Sequence, residues 1–405
     1  MLIDGCCAPG FAEVRAEFTR NFTDRGDIGA ALCVRVDGAV VVDLWGGTAD
    51  PGTGRAWEAD TPVMVWSATK AATALCAHLL ADRGALSLDD QLVRFWPEFA
   101  GAGRDAITVG MVLSHQAGLP HLRQRLPRDA YLDPEAMAER LTTEPPFWAP
   151  GTRHGYHAAT FGWLLGEVVR RTTGQSIGEF FAGEIAGPQG LDFWIGLPAT
   201  RDAAVAPCIR AAPPPPGTPL PANMDLAMRD PESIPALIFG NTGGYFSASN
   251  TPPAWRAQIP AINGIASARG LAGLYAALPG IGGSLVGEGT VAAMSSVRSA
   301  GFDQSLRLPT RFAAGFQKTW DNRAEPLPRR HNLVMSESAF GHVGFGGCVG
   351  LGDPAAGLAL GYTLNRHGTS IVADERGQAL IDATYRALGW RGGDRCCWYR
   401  SAGQP

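Results

Sequence analysis

Lysine is almost missing from this chain. Of its 34 basic residues only two, Lys70 and Lys318, are lysines, and the others are arginines. An arginine guanidinium stays protonated in proteins, whereas a lysine amine loses its proton when burial or nearby cations lower its pKa. Chemistry that needs a neutral amine near neutral pH must therefore use one of these two positions.

Long runs of like charge and long apolar runs are also missing. The net charge is −4 over 405 residues, so we expect no nucleic acid and no membrane as partner. No stretch reaches the roughly 18 apolar residues that a membrane span needs. The first ten residues contain neither the cationic segment nor the apolar core of a secretory signal, which predicts a cytoplasmic protein.

The eight cysteines form no Cys-x-x-Cys pattern, and four of them are adjacent pairs close to the chain ends. A chain of this length does not need disulfides to fold, so we expect reduced cysteines and no zinc site. No P-loop and no His-Glu-x-x-His segment occurs. The sequence therefore predicts neither a metal nor a cofactor.

Local patterns predict strands near both chain ends and helices between them. The Asp37-Gly38 pair between two β-branched runs indicates a hairpin of Ile28–Val36 with Ala39–Trp45. Helices are expected over Phe11–Phe22, Ser67–Arg83, Phe161–Arg171, Ser176–Ile185, Ala266–Ala277 and Arg376–Leu388, and later strands over Phe312–Trp320, Gly346–Leu351 and Gly357–Asn365.

These elements predict an α+β protein in which one antiparallel sheet, built from both ends of the chain, is flanked by helices. Residues 1–75 and 265–405 would form this α/β lobe. Residues 76–264 would form an inserted, mainly helical lobe. Its proline-rich part, residues 197–261, is expected to be irregular and to cross over a cleft.

Ser67 and Lys70 carry the strongest chemical signal. A spacing of three places both side chains on one face of the predicted helix. A serine hydroxyl is a weak nucleophile that needs a base, and a buried lysine amine can serve as one. Ser-x-x-Lys alone is a weak pattern and also fits an ordinary surface turn. The apolar residues on both sides of it favour burial of the pair.

With three further segments, this pair resembles the class C β-lactamase-like serine hydrolases, especially the family VIII carboxylesterase branch that includes biosynthetic acyltransferases. The resemblance covers about residues 10 to 390 and implies a β-lactamase/transpeptidase-like fold with no cofactor. The other matching segments are Leu113–Leu119 (LSHQAGL), Pro150-Gly151-Thr152 ahead of Tyr156, and Gly341–Gly347 (GHVGFGG).

The resemblance implies roles for single residues. Tyr156 would be a catalytic group that relays a proton as phenolate, its pKa lowered by nearby cations. The backbone N–H groups of Ser67 and Phe345 would bind the oxyanion. Substrate contacts are expected from His157, which follows the tyrosine, and from His342 and Gly344.

Two departures from the β-lactamase pattern favour esters as substrates. Ala158 replaces the asparagine of Tyr-x-Asn, and His342 replaces the lysine of Lys-Thr-Gly. The fixed charge of that lysine suits a substrate carboxylate, whereas a histidine is largely neutral at pH 7. Lys318 is interpreted as an ordinary solvated residue. Two or three aromatic residues are expected to line an acyl pocket, chosen from Phe147, Trp148, Trp163, Trp194, Phe239, Tyr245 and Phe345.

The predicted function is hydrolysis of a small-molecule carboxylic ester through an acyl-enzyme on Ser67. Acyl transfer from the same donor to an alcohol or amine is the alternative. Weaker alternatives are β-lactam hydrolysis and a catalytically silent scaffold. The intact set of Ser67, Lys70 and Tyr156 argues against a scaffold.

Overall fold

The computed structural model describes residues 2–212, 217–322, 324–325, 333–368, 373–392 and 397–400. Its strands are β1 Ile3–Cys7, β2 Gly29–Val36, β3 Ala39–Asp50, β4 Arg55–Ala56, β5 Val63–Trp66, β6 Phe193–Trp194, β7 Gly264–Ala266, β8 Ser299–Phe302, β9 Pro309–Phe312, β10 Phe340–Val343, β11 Val349–Asp353, β12 Leu358–Leu364, β13 Arg391–Gly392 and β14 Trp398–Tyr399.

Most of the helices lie between the strands near the N-terminus and those near the C-terminus of the sequence. They are α1 Ala12–Thr23, α2 Thr69–Asp82, α3 Val109–Leu113, α4 Pro134–Leu141, α5 Thr160–Thr173, α6 Ile177–Phe181, α7 Ala222–Arg229, α8 Ile234–Gly240, α9 Tyr245–Ala248, α10 Pro252–Arg256, α11 Ala268–Ala276, α12 Glu288–Ser295 and α13 Glu375–Ala387. Among the described residues, no helix is long and apolar enough to cross a membrane.

The main sheet joins the two ends of the chain. Its strand order is β1-β3-β2-β12-β11-β10, with β4 paired to β3, and every pair is antiparallel. The predicted hairpin forms between β2 and β3, with Asp37 at φ 48° and Gly38 at φ 80° in its turn. Two residues with positive φ match the twist of such a hairpin, which is why Asp-Gly is favoured there.

Helices cover the sheet. Val14, Phe18 and Phe22 are the buried face of α1, and the ring of Phe18 meets Tyr362 of β12 edge-on at 6.5 Å. Helix α11 packs closer, because a Cβ on Gly361 would lie 2.4 Å from the carbonyl oxygen of Ala268. A glycine on the strand therefore sets the distance between helix and sheet.

Helix α2 lies in the centre of the molecule. Every residue from Thr69 to Leu80 is buried, as expected for a helix with apolar residues on all sides. It begins two residues after the predicted start, so Ser67 lies in the turn between β5 and α2.

Two predictions about local structure are wrong. The segment 197–261 is not irregular throughout, because it contains helices α7 to α10. The predicted strand Phe312–Trp320 ends at its first residue. Gly315, at φ 93°, turns the chain there, and beyond it Gln317 forms only isolated bridges.

The interpretation of Lys318 as a solvated residue is also wrong. Its side chain is buried, and Nζ donates to the carbonyl oxygens of Glu337 at 2.6 Å and Ala339 at 2.7 Å. Burial lowers its pKa to about 8. Lys318 therefore joins the beginning of the β9–β10 connection to its end.

Candidate active site

Ser67 follows a residue in an unusual backbone conformation. Trp66 ends β5 with φ 50°, a left-handed conformation that costs energy for a bulky side chain. Its indole N–H donates to Nε2 of His367 at 3.0 Å, and its ring stacks on Phe246 and meets Phe345 edge-on. These contacts hold the turn that presents the serine ahead of α2.

The amine of Lys70 has three polar neighbours. Nζ lies 3.2 Å from Oγ of Ser67, 2.8 Å from the carbonyl oxygen of Ala158 and 2.9 Å from that of Ala261. No described carboxylate forms an ion pair with it. Because the amine is completely buried, its pKa lies well below the usual 10.5.

Tyr156 lies over the same pair. Its hydroxyl is close enough to the Ser67 side chain for Ser67 to influence its pKa, and Nζ of Lys70 lies 4.6 Å from its ring centroid. Burial raises the pKa of the phenol well above 10, so the predicted phenolate is wrong for the resting site. No cation among the described residues offsets the cost of burying the charge. The group present is a neutral hydroxyl, which can donate and accept a proton.

Two backbone N–H groups are free to face a ligand. Neither Ser67 nor Phe345 donates its N–H to any described acceptor, and both residues line one cavity. Gly344 brings their chain segments together, because a Cβ there would lie 2.1 Å from the carbonyl oxygen of Val65. Gly344 thus packs against β5 and does not line the cavity, so its predicted substrate contact is wrong.

His157 does not reach the cavity either. It is fully buried, Nε2 accepts the N–H of Leu119 at 3.0 Å, and Nδ1 donates to the carbonyl oxygen of Gly155 at 2.7 Å. Burial lowers its pKa to about 3. With both ring nitrogens bonded inside the protein, His157 orients its loop, and the predicted substrate contact is wrong.

His342 lies behind Tyr156, with 6.0 Å between the ring centroids. Nδ1 donates to the carbonyl oxygen of Val343 at 2.8 Å, while Nε2 is buried and has no described partner. Burial and the nearby amine of Lys70 lower its pKa to about 3. The ring is neutral and lies outside the cavity lining, so the predicted direct contact with substrate is not made here.

A cavity of about 550 Å³ opens above Ser67. Tyr156 and Ala158 line it, and the proline-rich segment supplies much of the remaining lining through residues such as Phe239 and Phe246. Of the seven aromatic candidates, Phe239 and Phe345 line it. Trp66 and Phe246 also line it, although no sequence pattern indicated this.

One further serine pattern is present. Gly174-Gln175-Ser176-Ile177-Gly178 matches the Gly-x-Ser-x-Gly motif of other serine hydrolases. Here Ser176 is the half-buried N-cap of α6, and it forms a capping box with Glu179. No described histidine or lysine bonds its hydroxyl, so this serine caps a helix.

The remaining arrangement suits nucleophilic acyl transfer. A serine hydroxyl lies 3.2 Å from a buried amine and beside a phenol. Two backbone N–H groups without a described acceptor belong to residues that line the same, largely apolar cavity. Among the described residues, no group of three or more His, Cys, Asp or Glu side chains could hold a metal.

The chain belongs to the beta-lactamase family, whose family model matches residues 18–384. It is 35% identical over 380 residues to the esterase/beta-lactamase LipL of Mycobacterium tuberculosis, covering 89% of this chain and 82% of LipL.

Solved structures agree with this assignment. A family VIII carboxylesterase superposes with a TM-score of 0.83 at 34% identity, covering 96% of this chain and all of that one. A penicillin-binding protein homologue from Caulobacter crescentus gives 0.80 at 34% identity, with 96% and 100% coverage. The predicted β-lactamase/transpeptidase-like fold and the resemblance to its esterase branch are confirmed.

Proposed function

We propose that this protein is a serine esterase that cleaves small-molecule carboxylic esters through an acyl-enzyme on Ser67. The contact between Nζ of Lys70 and Oγ of Ser67 carries the proposal. A neutral amine has two N–H donors and one lone pair. Two carbonyl oxygens take the donors, which leaves the lone pair for the serine hydroxyl.

In the acylation step, Oγ of Ser67 forms a bond to the ester carbonyl carbon while its proton moves to Nζ of Lys70. The N–H groups of Ser67 and Phe345 bind the resulting oxyanion. When the bond from carbon to the alkoxy oxygen breaks, the proton passes from the lysine ammonium to the leaving oxygen. The hydroxyl of Tyr156, which lies beside Ser67, supports this transfer as a relay.

Deacylation reverses these roles. Water attacks the acyl carbon, its proton moves to the amine of Lys70, and that proton returns to Oγ of Ser67 as the acid leaves. An alcohol or amine in place of water would give acyl transfer. Adding an amine to the reaction and measuring amide against free acid gives the ratio of the two outcomes.

Esters are favoured over penicillin-type substrates. The position that carries a lysine in the β-lactamase pattern holds His342, which is neutral because its pKa is about 3. It cannot supply the fixed positive charge for a penicillin carboxylate. We expect little nitrocefin turnover compared with turnover of a p-nitrophenyl ester.

The test is labelling by a fluorophosphonate probe, which reacts with activated serines. Ser67→Ala should abolish both labelling and ester turnover, while Ser176→Ala, which removes the serine of the Gly-x-Ser-x-Gly motif, should retain both. Labelling that survives in the folded Ser67→Ala variant would contradict the proposal.

A further inference from the structure

Arg210 is the charged residue of the active-site cavity. The described residues that line this cavity include no aspartate, glutamate or lysine, and Arg210 is their one arginine. His367 also lines it, but burial lowers its pKa to about 4, with a contribution from the positive charges of Arg376 and Arg210. Most of the remaining wall is apolar. A single positive charge therefore faces an apolar pocket that also contains Ser67.

The backbone of Arg210 is fixed by the residues just before it. The N–H of Ile209 donates to the carbonyl oxygen of Asn365 at 2.7 Å, and the N–H of His367 donates to that of Ile209 at 2.8 Å. The side-chain amide of Asn250 bonds both backbone groups of Cys208 at 2.8 Å. This segment therefore lies against the same His367 that binds the indole of Trp66.

The side chain of Arg210 is free. It is exposed, and no described acceptor forms a hydrogen bond or ion pair with its guanidinium. The buried Arg376, by contrast, bonds two carboxylates and two carbonyl oxygens. Five N–H donors on a fixed backbone, without an internal acceptor, can bind a carboxylate through two parallel bonds.

A second polar group lines the same cavity. Asn223 is almost completely buried, and its amide oxygen accepts the N–H of Met224 at 3.0 Å. Its amide nitrogen bonds no described residue, so it also has donors to offer a ligand.

We propose that Arg210 binds a carboxylate of the substrate. This carboxylate is a separate group from the ester that Ser67 attacks. This inference rests on the proposed esterase function and names its substrate class: esters with an apolar chain that ends in a carboxylate. The charge lies on the proline-rich segment and not on β10, where His342 is neutral. The carboxylate is thus held at a different place from that of the β-lactamase pattern.

Paired esters test this proposal. Mono-p-nitrophenyl esters of succinic, glutaric and adipic acid carry the charge on the acyl side, and their methyl esters are neutral partners. 4-Carboxyphenyl acetate and its methyl ester place the charge on the alcohol side. The quantity measured is the ratio of kcat/KM for the charged and the neutral member of each pair, in wild type, Arg210→Met and Arg210→Lys. The control is Arg20→Met, which removes an exposed arginine of α1 that does not line the cavity.

We expect at least one charged ester to be preferred by wild type and by Arg20→Met. That ratio should fall about tenfold in Arg210→Met, partly recover in Arg210→Lys, and shrink at high salt. The series that responds shows on which side of the ester the carboxylate lies. Ratios that are equal in wild type and Arg210→Met for every pair would overturn the proposal. Failure of the esterase function itself would be seen separately, as neutral esters that are not turned over or are turned over without Ser67.

Discussion

The amine of Lys70 determines how the activity should depend on pH. Its lone pair is available only when it is deprotonated, and burial lowers its pKa well below 10.5. Activity should therefore be lost as the pH falls through this pKa and be retained above it. The pH profile of kcat/KM for a neutral ester measures this acidic limb.

Lys70→Arg should remove the activity at every pH, by about 10³-fold or more, because a guanidinium does not deprotonate. Lys318→Met is the control, since Lys318 is the other buried lysine, with a pKa of about 8. It should keep the acidic limb unchanged. An active Lys70→Arg variant with the wild-type profile would exclude Lys70 as the base.

The hydroxyl of Tyr156 is expected to act in catalysis without stabilising the fold. Tyr156→Phe keeps the ring stacked on Phe312 at 6.2 Å and removes the hydroxyl beside Ser67. We expect kcat to fall by about 10²- to 10⁴-fold while the melting temperature changes little. Unchanged kcat would contradict the relay, and a large loss of stability would point to a structural hydroxyl.

At this scale the sequence predicts residue types well and burial poorly. The scarcity of lysine drew attention to Lys70, but nothing in the sequence around Lys318 indicated that its side chain is buried. His157 and Gly344 were assigned to substrate although they bond or pack inside the protein. The acceptors that bury such side chains come from distant parts of the chain, which a local pattern does not contain.

At the scale of elements, Gly344 fixes how closely the loop after β10 approaches β5. Alanine there would press against the carbonyl oxygen of Val65, 2.1 Å away. Gly344→Ala should therefore destabilise the fold by about 1–3 kcal/mol and lower kcat, because Phe345 moves away from Ser67. Urea unfolding and ester kinetics measure the two effects.

Gly289→Ala is the matched control. A Cβ at Gly289, in α12, meets no atom within 4 Å, so this change should be neutral or stabilise by up to about 1 kcal/mol. Equal effects of the two glycine substitutions would exclude close packing as the reason for Gly344.

Elements with strong local signals were predicted and others were missed. Asp37-Gly38 dictates its hairpin turn, and the apolar run after Ser67 dictates α2. The hairpin of β8 with β9 and the helices within residues 197–261 lack such signals. Short elements of this kind are stabilised by packing on the rest of the molecule, which overrides local propensity.

At the scale of the whole molecule, Arg376 connects both ends of the chain to the active-site loop. Its guanidinium bonds Asp27 at 2.7 Å, Asp374 at 2.5 Å and the carbonyl oxygen of Gly346 at 2.6 Å. Burial, together with the charge of Asp374, raises the pKa of Asp27 to about 6 despite this cation. Without the arginine, two carboxylates would lose their partner.

Arg376→Met should lower the free energy of unfolding by about 3–5 kcal/mol, as measured in urea. Arg386→Met is the control, because Arg386, also in α13, pairs with Glu13 of α1 at the surface. Its loss should cost about 0–1 kcal/mol. Similar losses in both variants would show that burial of the cluster does not matter.

The overall architecture was the most predictable level. Predicted strands at both chain ends indicated one sheet. The observed order β1-β3-β2-β12-β11-β10 does combine strands from both ends in one sheet. Register and strand order come from pairing over long sequence separation and are not written in a local pattern. The division into lobes at residues 75 and 265 stays a prediction.

The most direct test of the central claim is mass spectrometry of protein quenched during turnover of a slowly hydrolysed p-nitrophenyl ester. The account predicts one added acyl group per chain, located on Ser67 in the digested protein. It should be absent from Ser67→Ala and decay as free acid appears. An acyl group on another residue, or ester turnover in Ser67→Ala at the wild-type rate, would contradict it.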